Sequence, residues 1–156
     1  MISDQWHRWI FASVAKHFTE GAALKNLASY VDGDDRAPLD KHFIEVRMDG
    51  PRITEHEKNN YNLYVLINVV VQSVMGKQTL THFDNIGVVQ TLFTPVIEVY
   101  KIGETDPPDL LGCLRIVQGG KNGETLRTNN LGQIDKTVRL QQATVEGHYH
   151  MDLVGV

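Results

Sequence analysis

Apolar positions along the chain follow two different periods, and the change from one to the other divides it into elements. Near the N-terminus Trp6, Trp9, Ile10, Val14 and Phe18 recur at helical spacing, which predicts an amphipathic helix. Ser3 or Asp4 would cap it, Phe18 would lie near its end, and Gly21 would stop or interrupt it. The stretch from Ala22 to Val31 suits a helix through Ala23, Leu24, Leu27 and Ala28, or a short strand. The acidic run from Val31 to Pro38 reads as a solvated loop. From Phe43 the period becomes two: Ile44, Val46 and Met48 point one way, and Glu45, Arg47 and Asp49 the other. Gly50 and Pro51 mark a bulge or kink, because proline cannot donate to a central ladder. After a polar turn over His56 to Asn60, a long strand is predicted from about Tyr61 to Met75, closing a hairpin.

The two faces of that second strand differ. Tyr61, Leu63, Val65, Ile67, Val69 and Val71 form a fully apolar face, whereas the other carries Asn62, Tyr64, Leu66, Asn68, Val70, Gln72 and Val74. Such a mixed face implies cover by the N-terminal helix or burial against another subunit. A second helix is predicted over Thr81 to Phe93, with Phe83, Ile86, Val89, Gln90 and Phe93 on one side. Strands follow at 95–100 and 111–117, separated by an exposed loop at 103–109. Residues 119–135 read as a long polar loop with four glycines, of a length usually tied to function or mobility. In the C-terminal strand Ala143, Val145, Gly147, Tyr149, Met151 and Leu153 alternate with Thr144, Glu146, His148, His150 and Asp152. Val138 and Leu140 fall out of phase, which a bulge at Gln141 and Gln142 would correct. The expected class is α+β: a mainly antiparallel, twisted sheet with an N-terminal helix and a mid-chain helix packed on it.

Composition narrows the picture. The 156 residues suit one domain, 1–156, and 42% hydrophobic with 22% charged residues is an ordinary globular balance. No apolar run is long enough to span a bilayer, and the opening residues lack the basic start and apolar stretch of a signal peptide. One cysteine, Cys113, forms no intrachain disulfide and points to synthesis in a reducing cytoplasm; its apolar strand suggests a buried, inert thiol. Net charge is −4, from 15 basic and 19 acidic residues. Without a basic stripe, specific nucleic-acid binding is disfavoured.

Motifs for catalysis are weak. Glu146, His148 and His150, at alternate positions, would share one strand face and could seed a metal site or an acid–base pair. A polar sheet face explains the same spacing. His56 and Glu57 start a zinc-protease signature whose second histidine is missing. The glycines at 119–123 lack phosphate-loop spacing, and no serine sits in a nucleophile elbow. The two tryptophans read as core anchors. Asp32, Asp34 and Asp35 lack the calcium-loop pattern. No catalytic residues, metal or cofactor are expected.

The order of features does resemble a known family. A Trp-bearing helix precedes an extended pair through Arg47-Met-Asp-Gly-Pro51. A Val-rich strand, Val99-Tyr-Lys-Ile-Gly103 and Leu111-Gly-Cys-Leu114 come next, and Gln142-Ala-Thr-Val-Glu-Gly-His-Tyr-His-Met-Asp152 closes the chain. This resembles neck proteins of tailed bacteriophages, in particular tail terminators (tail-completion proteins). The resemblance implies a non-enzymatic virion protein whose copies form a homo-oligomer, usually a hexameric ring. That ring would cap the tail-tube protein and meet head-completion or connector proteins while DNA passes without specific binding. The 43–75 hairpin is then the candidate assembly element, its register set by Glu55, His56, Glu57 and Lys58. Arg47, Arg52, Tyr64, Glu146, His148 and His150 complete the candidate interface, and residues 119–135 would order on contact with a neighbour. Alternatives are a head-closure or tail-tube protein, a small cytosolic metal-dependent enzyme or ligand-binding protein using Glu146, His148 and His150, and a free-standing dimeric interaction protein.

Overall fold

A computed structural model describes residues 4–32, 42–74, 80–118, 124–135 and 140–154. Two helices and seven strands follow in the order α1 (Trp6–Leu24), β1 (Ser29–Val31), β2 (Phe43–Glu57), β3 (Asn60–Val74), α2 (Leu80–Leu92), β4 (Val96–Tyr100), β5 (Leu110–Val117), β6 (Leu126–Asp135) and β7 (Leu140–Val154). All seven strands join one sheet, in the order β1-β2-β3-β7-β5-β4, with β6 paired to β7. Strand β7 therefore has β3 along one edge and shares the other between β6 and β5. The class is α+β, but the sheet is mixed: β1 runs parallel to β2, and the other pairings are antiparallel.

The alternation of β3 and β7 builds the core. Leu63, Val65, Ile67, Val69 and Val71 are buried together with Ala143, Val145, Tyr149, Met151 and Leu153. Both helices lie on this face, contributing Trp6, Trp9, Ile10, Val14 and Phe18 from α1 and Ile86 and Val89 from α2. The expected cover of the Asn68 face by the first helix is thus overturned, since a helix gains more by covering the continuous valine face. Phe43, Val70 and Leu140 are buried outside that core cluster, on the opposite face beside Gln72.

Several elements differ from the sequence pattern for identifiable reasons. Helix α1 runs through Gly21 to Leu24, because the glycine serves a helix–helix approach: a Cβ there would stand 2.6 Å from Leu92 Cδ2. Its N-cap is Gln5, with no side-chain cap bond; Ser3 lies outside the described residues. The ambiguous 22–31 stretch is both things in turn, the end of α1 and then β1. The turn predicted at 56–60 tightens to Lys58 and Asn59, with Asn59 at a φ of 64°, a conformation asparagine tolerates better than most residues. In α2 the buried set is His82, Ile86 and Val89, and Phe83 is exposed. The imidazole takes the inward position because the Ser73 hydroxyl, 2.7 Å from its Nδ1, satisfies it there.

The expected break at Gly50 and Pro51 is present as a register shift between Asp49 and Arg52, with Gly50 at a φ of 101°. No bulge occurs at Gln141 and Gln142: β7 pairs β3 without interruption from Leu140 to Val154. The irregularities sit in β6 instead, between Asn130 and Gly132 and between Gln133 and Asp135, and Leu140 stays in phase on the second face. Within the supposed 119–135 loop, residues 126–135 form β6 along the outer edge of β7. Cys113 is half-buried rather than buried, because it shares the outer face of β5 with Arg115 while Leu114 points into the core. Val138, Asp34, Asp35 and the glycines at 119–123 lie outside the described residues.

Candidate assembly interface

Strand register arranges the candidate residues into two groups. The first is the hairpin tip, where Glu55, His56, Glu57 and Lys58 are all exposed. Glu55 Oε1 accepts the Asn59 N–H at 3.1 Å, and Glu57 Oε2 accepts from Asn60 Nδ2 at 3.3 Å. Both carboxylates thereby stiffen the tip while leaving oxygens free for a partner. His56 also lines a concavity of about 620 Å³ at the foot of the sheet, which Trp6, Tyr61, Leu111, Met151 and Leu153 complete.

The second group lies on the helix-free sheet face as cross-strand rows. One row reads Arg52, Tyr64, His150 and Arg115 across β2, β3, β7 and β5. The Tyr64 and His150 rings meet at 4.9 Å, and His150 Nε2 stands 3.1 Å from Asp152 Oδ1. A second row reads Arg47, Asn68, Glu146 and Arg127 across β2, β3, β7 and β6. There Asn68 Nδ2 donates to Glu146 Oε1 at 3.2 Å, while Arg47 Nε bonds Glu45 at 2.8 Å and stands 3.9 Å from Asp32. Between the rows, His148 is exposed and borders a smaller hollow of about 290 Å³ with Arg52 and Tyr64. Each row thus has an arginine at either end, with Tyr64 and His150 between them in one and Asn68 and Glu146 in the other, a set of charged and polar groups suited to reading a complementary surface.

Glu146, His148 and His150 share a face as the spacing predicted, but each of the outer two is engaged by a different neighbour. No group of three histidine, cysteine or acidic side chains with metal-binding geometry exists among the described residues. Arg115 and Arg127 complete the two rows and were not singled out by sequence, since only cross-strand register brings them there. The foot concavity was missed for the same reason, although Trp6 and Leu111 each carried an apolar signal.

Two ionisable side chains, His82 and Tyr149, belong to the packed interior. Burial lowers the His82 pKa below its ordinary value, with a further repulsive contribution from His42. Tyr149, whose hydroxyl donates to the Thr94 carbonyl at 2.7 Å, is held neutral by burial.

No family model matches the chain, and no curated protein matches it. Solved structures share its fold at low identity, and two of them illustrate it. One, whose name states no function, is 12% identical over 96% of each chain, with a TM-score of 0.54. The other belongs to the virion of a native gene transfer agent particle: it is 15% identical, with a TM-score of 0.50, over 96% of this chain and 99% of that one. The arrangement of helices and mixed sheet described above is therefore a fold found, from end to end, in a virion component.

Proposed function

We propose that this chain is a structural protein of a phage-like virion and, within it, the tail terminator of the neck. The observation that carries the reading is the shared fold with a chain of the gene transfer agent virion over nearly the full length of both. The element order that resembles tail terminators supports the finer assignment. As one domain spanning 1–156, the chain would assemble into a hexameric ring that closes the tail tube and meets head-completion or connector proteins. Its work is surface complementarity rather than catalysis, and DNA passes through without specific binding.

The helix-free face and the exposed hairpin tip fit that role. Charged and polar side chains carried on a hydrogen-bonded sheet hold their geometry without a partner, so little ordering entropy opposes docking. Heterologous contacts between identical copies close into a ring when the rotation between them divides a full turn. Light scattering and negative-stain imaging of the purified chain, followed by gold labelling of assembled particles, test the reading. A ring of about six copies and label confined to the head–tail junction are the expected results. Label along the tail would reassign the chain to the tube, and label absent from particles would refute the virion reading.

A further inference from the structure

Helix α2 is fastened to the rest of the molecule unequally at its two ends. At its close the Leu92 carbonyl accepts from His17 Nε2 at 2.8 Å, and Phe93, just beyond, is buried against Phe18. At its start Leu80 and Phe83 are exposed, and His82 is the buried residue of the first turn. That anchor is titratable. Its Nδ1 lies 2.7 Å from the Ser73 hydroxyl of β3, and its Nε2 has no partner among the described residues. A neutral ring can leave Nε2 as a bare lone pair at small cost, whereas a protonated ring buries an N–H without an acceptor.

The surroundings also oppose a positive charge. A first helical turn carries the positive end of the helix dipole, and no acidic residue stands in this one. His42, whose Nδ1 accepts the Val74 N–H at 3.3 Å, is the titratable neighbour that acts on His82. The elements packed on α2 are α1, β3 and β7, and they bring no carboxylate to the ring among the described residues. On α1, His17 is engaged at the other end of α2 and Glu20 pairs with Lys16 at the surface. Strand β3 carries no acid or base after Tyr64. On β7, Glu146, His148, His150 and Asp152 lie on the opposite face of the sheet, and Asp84 of α2 itself is exposed. We infer that His82 is an acid-sensitive latch: proton uptake by its ring frees the first turn of α2 from Ser73 of β3, while the Leu92 end stays docked. The sign follows from the two states. Burial, with a further contribution from His42, keeps the closed ring neutral below its ordinary value. An opened ring regains a value near 6.5 and takes up a proton as pH falls past it, so acid favours opening. At pH 5 the open form gains up to about thirtyfold over its population at neutral pH.

Amide hydrogen exchange of the full chain at pH 7.5 and pH 5, corrected for intrinsic exchange rates, tests the latch. Opening over residues 80–86 should rise about ten- to thirtyfold in acid, while residues 88–93 and strand β7 keep their protection. His82→Gln cannot take the charge and should open equally at both pH values. Should that variant melt early, His42→Gln serves in its place. Without the neighbouring imidazole the closed His82 ring accepts a proton more readily, so the rise in acid should be smaller than in the wild type. Three results would overturn the inference: protection over 80–86 that is the same at both pH values, a rise that persists in full in either variant, or a loss of protection that takes the whole sheet at once.

Discussion

Two glycine-to-alanine substitutions should move stability in opposite directions. Gly147 lies in the middle of β7, paired with Ile67 of β3 and Leu126 of β6. A methyl group there would stand 2.7 Å from Phe93 Cδ1, 3.0 Å from Cε1 and 3.3 Å from Leu126 Cδ2. The ring cannot simply step aside, because it is buried and packs edge-on against Phe18 at a centroid distance of 4.9 Å. Forcing a methyl into such a site costs about 1–3 kcal/mol, against a backbone gain of about 0.5–1 kcal/mol for replacing glycine in a strand. Gly147→Ala should therefore destabilise by up to about 2.5 kcal/mol, the difference between those two ranges. Gly87 is the control: a Cβ at this position in α2 meets nothing within 4 Å, so Gly87→Ala should stabilise by about 0.4–1 kcal/mol. Urea unfolding with fixed m-value measures both. In a double-mutant cycle, Phe93→Leu should relieve part of the Gly147→Ala penalty, with a coupling of at least about 0.5 kcal/mol. A stabilising Gly147→Ala, or strict additivity with Phe93→Leu, would refute the packing argument.

Other outcomes follow from single contacts. Because burial depresses the His82 pKa, its neutral form stabilises the fold above the unfolded-state value near 6.5, and that contribution is lost as pH falls from there through the lower folded value. Urea midpoints from pH 8 to pH 5 should therefore fall more steeply for the wild type than for His82→Gln, and parallel slopes would dismiss the idea. Ser13→Ala removes the hydroxyl that bridges the Tyr100 N–H at 2.9 Å and its carbonyl at 3.4 Å; a loss of about 1–3 kcal/mol is expected, and thermal melting reads it. Glu57→Lys, at the exposed hairpin tip, should leave the melting temperature within a degree or two while weakening capture by isolated tails. Unchanged capture in a pull-down would remove the tip from the docking surface.

The parts of the fold that could be read from sequence are those in which one face alone decides burial. Strands β3 and β7 alternate cleanly because one face is a continuous apolar surface, and α1 carries an unbroken stripe from Trp6 to Phe18. Strand β6 was hidden because residues such as Thr128, Asn129 and Asn130 carry no apolar alternation; it is held by the ladder to β7. The helical face of α2 was misjudged by one position, since His82 is polar by composition but becomes core through its bond to Ser73. Gly21 carried a local helix-ending signal, whereas its use is tertiary, against Leu92. The same division holds for the interface. The hairpin tip was legible as a charged turn, but the Arg52–Tyr64–His150–Arg115 row and the foot concavity exist only through register and docking.

The outer edge of β4 has a consequence for the life of the free chain. The Pro95 carbonyl accepts from Ile116 of β5 and the Lys101 N–H donates to Asp109 just before it, so Tyr100 directs its main-chain groups outward, where Ser13 bonds both. The Val96 carbonyl is taken by the Thr94 hydroxyl at 2.8 Å. An incoming strand would meet two side-chain hydroxyls already bonded at either end of that edge, which blunts it against sheet-to-sheet growth. Amyloid-like polymerisation is thereby discouraged on that flank while the protein accumulates in solution. Association on that flank is then left to side-chain surfaces, which can be made and broken repeatedly until a correct neighbour locks them.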